Sequence, residues 1–490
     1  MITRALERSA CLRATVGSAR VSTVGATSIE FATTAALRLP RAVSSADSAM
    51  FAQAKAAAGG DTTTGRIRVD MVADGIMRVR YVEGSAVRET TLPLVVAAPV
   101  PLRTCAIDAA TPGIATLRTA ELTVSIALDP WRIDVRRADG TPVCGISGPE
   151  KNFFNLWDSL GTGLLRPVVK DGGGGAIAVE SFDLRPNECI YGLGEKFIKL
   201  DKVGQTIDLE TSDALGVLSP RSYKNVPFFV STRGYGVFFN HASRMTYWVG
   251  SRSAADVQVA ADDDFLDYYV IAGDIRTILA RYTGLTGRGT LPPKWTFGYW
   301  QSKISYTSAD ETLEIARRMR DAEVPFDVLH LDTHWFKADW YCDLEFDPVR
   351  FPEPAAWFAA MRDLGVNISL WQLPYIPEGS ALYDAIKAVD GFVTRPDGSI
   401  YDLGICFTPG FKGTVGLVDY TNPRAVRAHQ DAFRRLFRLG AKVIKTDFGE
   451  AAPGEGAVYH DGTPARQMHN LYPLLYNRAI SEVTAEETGS

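Results

Sequence analysis

The chain has 490 residues, too many for one ordinary domain, so two or three are expected. Its 46% apolar and 22% charged content is that of a globular protein with sizeable cores, and a net charge of −5 gives no electrostatic case for nucleic acid or an acidic membrane as partner. No apolar run approaches the roughly 20 residues of a membrane-spanning helix, and six scattered cysteines without a CxxC indicate free thiols in a reducing, cytoplasmic compartment.

Residues 1–65 are rich in Ala, Ser and Thr, carry a weak apolar pattern and are expected to be poorly defined. Arg4, Arg8, Arg13 and Arg20, with Glu7 the only acid among the first 20, faintly resemble an organellar transit peptide. No apolar stretch of a secretory signal accompanies them, and a disordered start is the simpler reading. From Ile67 to Gly84 apolar and polar residues alternate around turn residues, as in a hairpin. Glu121 to Val143 repeats the pattern with Asp139-Gly140 as a tight turn. Further strands are expected at Ile177 to Leu184, Val226 to Phe229 and Tyr235 to Asn240. Many short strands at regular spacing predict a β-sandwich over residues 66–290. The glycine run Gly172 to Gly175 reads as a loop; no Lys-Ser/Thr follows it, so it is no phosphate cradle.

At Leu291-Pro292-Pro293 the pattern changes. Trp295 to Trp300 reads as a strand and Ser308 to Glu323 as a helix, with Ser308 as N-cap and Glu311 at the capping-box position. Then come a strand at Phe326 to Asp332, a helix at Glu353 to Leu364 and a strand at Val366 to Leu373. An irregular insert at about 374–420 contains a hairpin turn at Arg395-Pro396-Asp397-Gly398. A helix at Asn422 to Leu439, a strand ending at Asp447 and a helix at Ala465 to Val483 complete the chain. Strand–helix alternation, four times over, predicts part of a (β/α) barrel over 291–490, with its chemistry at the C-terminal strand ends. The ends expected at that edge are Trp300-Gln301, Asp332-Thr333-His334, Trp371-Gln372 and Lys445-Thr446-Asp447. Lys445 and Asp447 alternate onto one face, and an ammonium beside a carboxylate favours its ionised form, which is the form of a nucleophile.

KTDFGE, Lys445 to Glu450, resembles the nucleophile motif of glycoside hydrolase family 31 in its bacterial α-xylosidase/α-glucosidase branch. The similarity continues through SFDLRPNECIYGLGEKF from Ser181, YKNVPFFVSTRGYGVFFNH from Tyr223, TGRGTLPPKWTFGYW from Thr286, HLDTHWFKADWYCDLEFDPVRFP from His330 and DGTPARQMHNLYPLLYN from Asp461. The resemblance implies a multi-domain β plus α/β architecture, an N-terminal β-sandwich and then a (β/α)8 TIM barrel. It also implies retaining hydrolysis of non-reducing-end α-linked xylosides or glucosides, with no cofactor and no metal. Asp447 matches the catalytic nucleophile and Lys445 a neighbour in the same subsite. Asp332 matches the carboxylate that holds sugar hydroxyls, and Trp371 an aromatic wall. Asp213, in ETSDALG, matches a sandwich loop that reaches the sugar. His334 and Trp300 are further candidates for the pocket.

Two departures from the family pattern stand out. The family's α-xylosidases carry Cys-Phe after the Asp332 counterpart, where this chain has Thr333-His334, and the Asn of Trp-Ile-Asn-Pro is Gln372 here. Xylose selectivity is therefore open against glucose. The family's acid/base Asp lies on a later strand, so the barrel is expected to be incomplete, and this chain alone is not expected to turn over ordinary glycosides. General acid catalysis typically supplies about 10²–10⁴-fold. The expected partner is an oligosaccharide or glycoside, with no nucleic acid and no membrane, and a homo-oligomer remains open. The alternative is a non-catalytic carbohydrate-binding relative or fragment. His330 and His334 sit four apart, about 13 Å on a strand, too far to share a metal ion; His330 is expected to be an interior hydrogen-bonded residue. Glu450 reads as a loop carboxylate. The sequon Asn367-Ile368-Ser369 falls in a predicted buried strand and is expected to be silent, and the arginines of the helix from Asn422 as a solvated face.

Overall fold

The structure is a computed structural model describing residues 11–38, 60–87, 104–147, 160–167 and 175–489, and positions 52, 55–56, 89, 92–97 and 102. The start of the chain up to Ala10 and the glycines at 172–174 lie outside the described residues. The chain divides into two compact units, Met1–Arg288 and Gly289–Ser490. No helix among the described residues is long and apolar enough to cross a membrane.

The strands of the first unit pair antiparallel, with one isolated parallel bridge at Thr211↔Ser222 among the described residues. One face runs from Cys11–Val24 through Ser28–Arg38, Thr62–Ala73, Ile76–Glu83, Phe265–Ala272, Tyr235–Phe239 and Phe228–Ser231 to Ile190–Gly192. The other runs from Gln205–Leu209 through Met245–Val249, Asp256–Ala261 and Ile177–Asp183, then by Pro142–Ile146 to Trp131–Arg137, Leu122–Leu128, Ile114–Arg118 and Ala106–Asp108. Strand Gly163–Pro167 joins them, pairing with both Cys11–Val24 and Ile177–Asp183. The alternation read from the sequence is the cause of the layering: Leu122, Val124 and Ile126 are buried while Thr123 and Ser125 are only half-buried. Gly140, at φ +86°, makes the turn that Asp139-Gly140 announces. One core is shared by both faces, and Phe182 on one lies edge-on to Phe229, Phe239 and Tyr268 on the other, with centroids 5.5–6.1 Å apart.

The segment expected to be poorly defined is here corrected. Cys11–Val24 and Ser28–Arg38 are long strands in register with each other from Arg13↔Arg38 to Val24↔Ile29. Small Ala, Ser and Thr residues hide the signal, but Ile29, Phe31, Ala35 and Leu37 alternate inward and are buried.

The second unit holds four parallel strands in chain order: Trp300–Lys303, Val328–Leu331, Asn367–Gln372 and Val443–Thr446. Helices Ala309–Asp321, Pro354–Asp363 and Pro423–Leu439 connect them, and Ala465–Thr488 follows. Ser308 caps the first helix by accepting from Glu311 N at 3.1 Å, whereas the Glu311 carboxylate turns back to Thr307 N. Asn422 caps the third, and Pro423 takes its first turn. That helix buries Ala425, His429, Phe433 and Leu436, while Arg434 and Arg438 reach Glu486 and Glu487 of the last helix. The insert pairs Tyr375–Pro377 with Val415–Leu417 and holds the Arg395–Gly398 turn, closed by a Thr394↔Ile400 bridge.

One strand departs from the reading. Pro292-Pro293 leads into a 3₁₀ turn at Lys294–Phe297, where Thr296 N and Gly298 N are taken by Pro293 O and Trp295 O. The strand therefore begins only at Trp300.

Candidate active site

Register places the side chains of the second unit in layers. Ser302, His330, Ser369 and Val443 are cross-strand partners in one row, and Trp371 and Lys445 are partners one step further towards the C-terminal edge. Asp332 follows Leu331 at that edge, and Asp447 continues the ladder by donating its N–H to Gln372 O at 3.0 Å. Because side chains alternate, His330 and Asp332, Ser369 and Trp371, and Lys445 and Asp447 share one face.

The carboxylate of Asp447 is held by two hydrogen bonds and an ion pair. Trp371 Nε1 donates to Oδ2 at 2.6 Å, Lys445 Nζ lies 3.2 Å from the same oxygen, and Phe448 N donates to Oδ1 at 3.0 Å. Phe448 (φ +60°) and Gly449 (φ +108°) turn the chain sharply just after it. The Tyr375 hydroxyl accepts from Gly449 N and Ala451 N, pinning the loop that carries Glu450. A left-handed Phe next to Asp447 is backbone strain of the kind that collects at functional sites.

Asp332 is the more enclosed carboxylate, with 11% of its side chain exposed against 39% for Asp447. Its Oδ2 meets His330 Nε2 at 3.2 Å and Lys445 Nζ at 3.6 Å, and Oδ1 accepts from Thr333 N. Burial alone would raise its pKa; the His330 hydrogen bond and the Lys445 charge outweigh it and hold the carboxyl below its usual range. Lys445, 46% exposed, thus stands between two acids. His330 is buried and bonded to Ser369 Oγ at 2.9 Å, the interior residue expected. Ser369 is itself buried inside the strand, so the sequon is buried as expected. No cluster of three or more metal-ligating side chains occurs among the described residues.

Trp300 does not join this edge. It pairs with Val328 at the opposite end of the sheet, and its indole donates to Thr296 O at 3.0 Å. The late start of the strand, forced by the 3₁₀ turn, is the reason. The first strand instead sends Ser305 to the mouth, where its Oγ lies 3.2 Å from Thr333 Oγ1. Thr333 is buried and donates to Asp339 Oδ1 at 2.8 Å, while His334 is half-buried and has no side-chain hydrogen-bond partner among the described residues. Gln372 turns to the outer layer and donates to the Tyr476 hydroxyl. Asp213 belongs to the first unit, where it accepts from the Tyr223 hydroxyl at 2.5 Å and Leu215 N at 3.0 Å.

Sequence reasoning missed an aromatic rim. Trp340 stands edge-on to Trp371 (5.2 Å), 4.8 Å from Phe407 and 6.2 Å from Phe448. Trp340 lies within the quoted block from His330, where two Trp in eleven residues were a usable signal; Phe407 sits in the irregular insert, where periodicity says nothing. An anchored carboxylate, a neighbouring ammonium, a second ionised acid and an aromatic rim together can attack an electrophilic carbon and hold a polyhydroxylated ring.

Two family models match the chain: the glycosyl hydrolase 31 N-terminal galactose mutarotase-like domain at residues 66–247, and the glycosyl hydrolases family 31 TIM-barrel domain at residues 289–490. An α-xylosidase of Lactiplantibacillus pentosus is 38% identical over 314 residues, covering 64% of this chain and 40% of that protein. An α-xylosidase of Emericella nidulans is 35% identical over 310 residues, covering 63% and 39%. The chain thus spans about two fifths of the length of these curated relatives. Among solved structures, a Flavobacterium johnsoniae GH31 dextranase complexed with glucose superposes with a TM-score of 0.77 at 20% identity, covering 96% of this chain and 53% of the other.

Proposed function

The chain belongs to glycoside hydrolase family 31, and from that premise we propose that it carries the nucleophile half of a retaining α-glycosidase acting on non-reducing-end α-xylosides or α-glucosides. Asp447 attacks the anomeric carbon and forms a covalent glycosyl-enzyme. The observation that supports the reading is the hold on its carboxylate, two hydrogen bonds and an ion pair that reach both oxygens while the side chain stays accessible. Lys445 pairs with it at 3.2 Å, and Asp332 holds sugar hydroxyls with Trp371, Trp340 and His334 around the ring.

Retention requires a second carboxyl about 5–5.5 Å from the nucleophile, which gives and then takes a proton. Asp332 is unsuited to that task, because His330 and Lys445 hold it ionised while a general acid needs the opposite. The proton donor is therefore assigned to a group outside this cluster. The unpaired state of all six cysteines supports a reducing, cytoplasmic setting.

A 5-fluoroglycosyl fluoride tests the reading, because fluoride leaves without protonation. Incubation followed by peptide mass spectrometry is expected to find one glycosyl adduct, on Asp447, that is absent from Asp447→Ala. Sugar binding by the folded protein without an adduct would overturn the assignment in favour of a binding-only relative. Parallel xylosyl and glucosyl reagents decide the sugar.

A further inference from the structure

His330 sits one layer below Asp332 on the same strand, out of reach of any bound sugar by its burial, and it links two strands. Its Nδ1 is 2.9 Å from the hydroxyl of Ser369, its cross-strand partner, and its Nε2 is 3.2 Å from Asp332 Oδ2. The same Asp332 oxygen is 3.6 Å from Lys445 Nζ, which is 3.2 Å from Asp447 Oδ2. Ser369, His330, Asp332, Lys445 and Asp447 thus form one continuous polar row ending at the candidate nucleophile. Asp332 is ionised, so Nε2 has to carry a proton to meet it, and the Ser369 hydroxyl is free to satisfy Nδ1 from the other side.

We propose that His330 is a positioning residue: locked by Ser369, its Nε2–H fixes Asp332 and so leaves Lys445 to serve Asp447. This rests on the reading of Asp447 as nucleophile and Asp332 as sugar holder. The logic is one of competition for a single cation. Without His330, Oδ2 of the enclosed carboxylate keeps Lys445 as its partner, since Thr333 N serves Oδ1. Drawing Lys445 towards Asp332 takes it from Asp447 and rotates Asp332 away from the sugar, so one distant substitution disturbs binding and attack together.

The test has two arms on the full chain. In the first, ¹⁵N-imidazole spectra, with His330 assigned from its absence in His330→Gln, are expected to place a proton on Nε2, with Asp332→Asn and Ser369→Ala each shifting that signal. A neutral ring protonated on Nδ1 would overturn the proposal, whatever the protein's activity. In the second, labelling by the 5-fluoroglycosyl fluoride is followed at varied reagent concentration. His330→Leu is expected to raise the half-saturating concentration and lower the maximal rate, each by about tenfold, the size expected for losing a hydrogen bond to a charged group. His330→Gln, whose amide N–H reaches the Nε2 position, is expected to recover most of both, and Ser369→Ala, a smaller perturbation of the fold, to show an intermediate loss. Equal losses in His330→Leu and His330→Gln with unchanged melting would reduce His330 to packing. Absence of labelling in the unsubstituted chain would instead sink the nucleophile reading, leaving the imidazole spectra to judge His330 on their own.

Discussion

Trp371 Nε1 donates to Asp447 Oδ2 at 2.6 Å, across adjacent strands of one parallel sheet. The residue that the sequence offers as a wall of the pocket is therefore also the anchor of the acid it faces. Its ring is buried and its own carbonyl accepts from Trp335 Nε1 at 2.9 Å, so the anchor is itself immobilised. Preorganisation of this kind puts the cost of ordering the Asp447 carboxylate into folding.

Replacing Trp371 by Phe keeps an aromatic wall and deletes the N–H. Labelling of Asp447 is expected to slow by about 10- to 100-fold, the range for a hydrogen bond to a charged group. Half-saturating reagent concentration should change much less. Time-resolved adduct formation by intact-protein mass spectrometry measures both.

Lys445→Met separates chemistry from stability. The pair with Asp447 is nearly half exposed on the lysine side, so its loss should shift the unfolding free energy by no more than about 1 kcal/mol in thermal or denaturant unfolding. Labelling should nevertheless fall by at least the factor seen for Trp371→Phe, because both acids lose their shared cation.

Trp340→Ala removes the rim ring that meets Trp371, Phe407 and Phe448. Aromatic contacts beyond area burial are worth about 1 kcal/mol each, so sugar affinity by calorimetry should drop several-fold to about tenfold. The Trp371–Asp447 bond does not depend on Trp340, and adduct formation at saturating reagent should be little changed.

In the sandwich core, Glu180 is fully buried among Thr162 Oγ1, Tyr268 OH and Ser181 N, and burial pushes its carboxyl up from 4.5 to about 7. The folded state then holds a proton that the unfolded chain releases between those values. Stability is complete below about pH 4.5 and declines as pH rises towards 7, by on the order of 3 kcal/mol at most. Glu180→Gln, isosteric and uncharged, is expected to flatten that stretch of the stability–pH curve. Chemical denaturation at pH 4.5, 5.5 and 7 checks it; an unchanged slope would exclude Glu180 as its source.

The fold was legible where local chemistry and pattern agree. Ser308, Asn422 and Pro423 mark their helices at the observed starts, and short apolar runs ending in acid mark the strands that carry Asp332 and Asp447. Asp332, Trp371, Lys445 and Asp447 converge because a parallel sheet converts equal strand positions into one edge. Trp300 was misplaced because register depends on where a strand begins, and two prolines followed by a 3₁₀ turn moved that point by several residues. Trp340 and Phe407 come from irregular segments, whose contacts are set by tertiary packing and leave no period to read.

The strand Cys11–Val24 helps to close the seam of the sandwich: one edge answers Gly163–Pro167 and the other Ser28–Arg38. The family match begins at residue 66, an inviting place to cut. A protein shortened there would bare the backbone donors and acceptors of Arg66 to Asp70 and of Gly163–Pro167 together, opening adhesive borders on a domain that otherwise keeps them zipped.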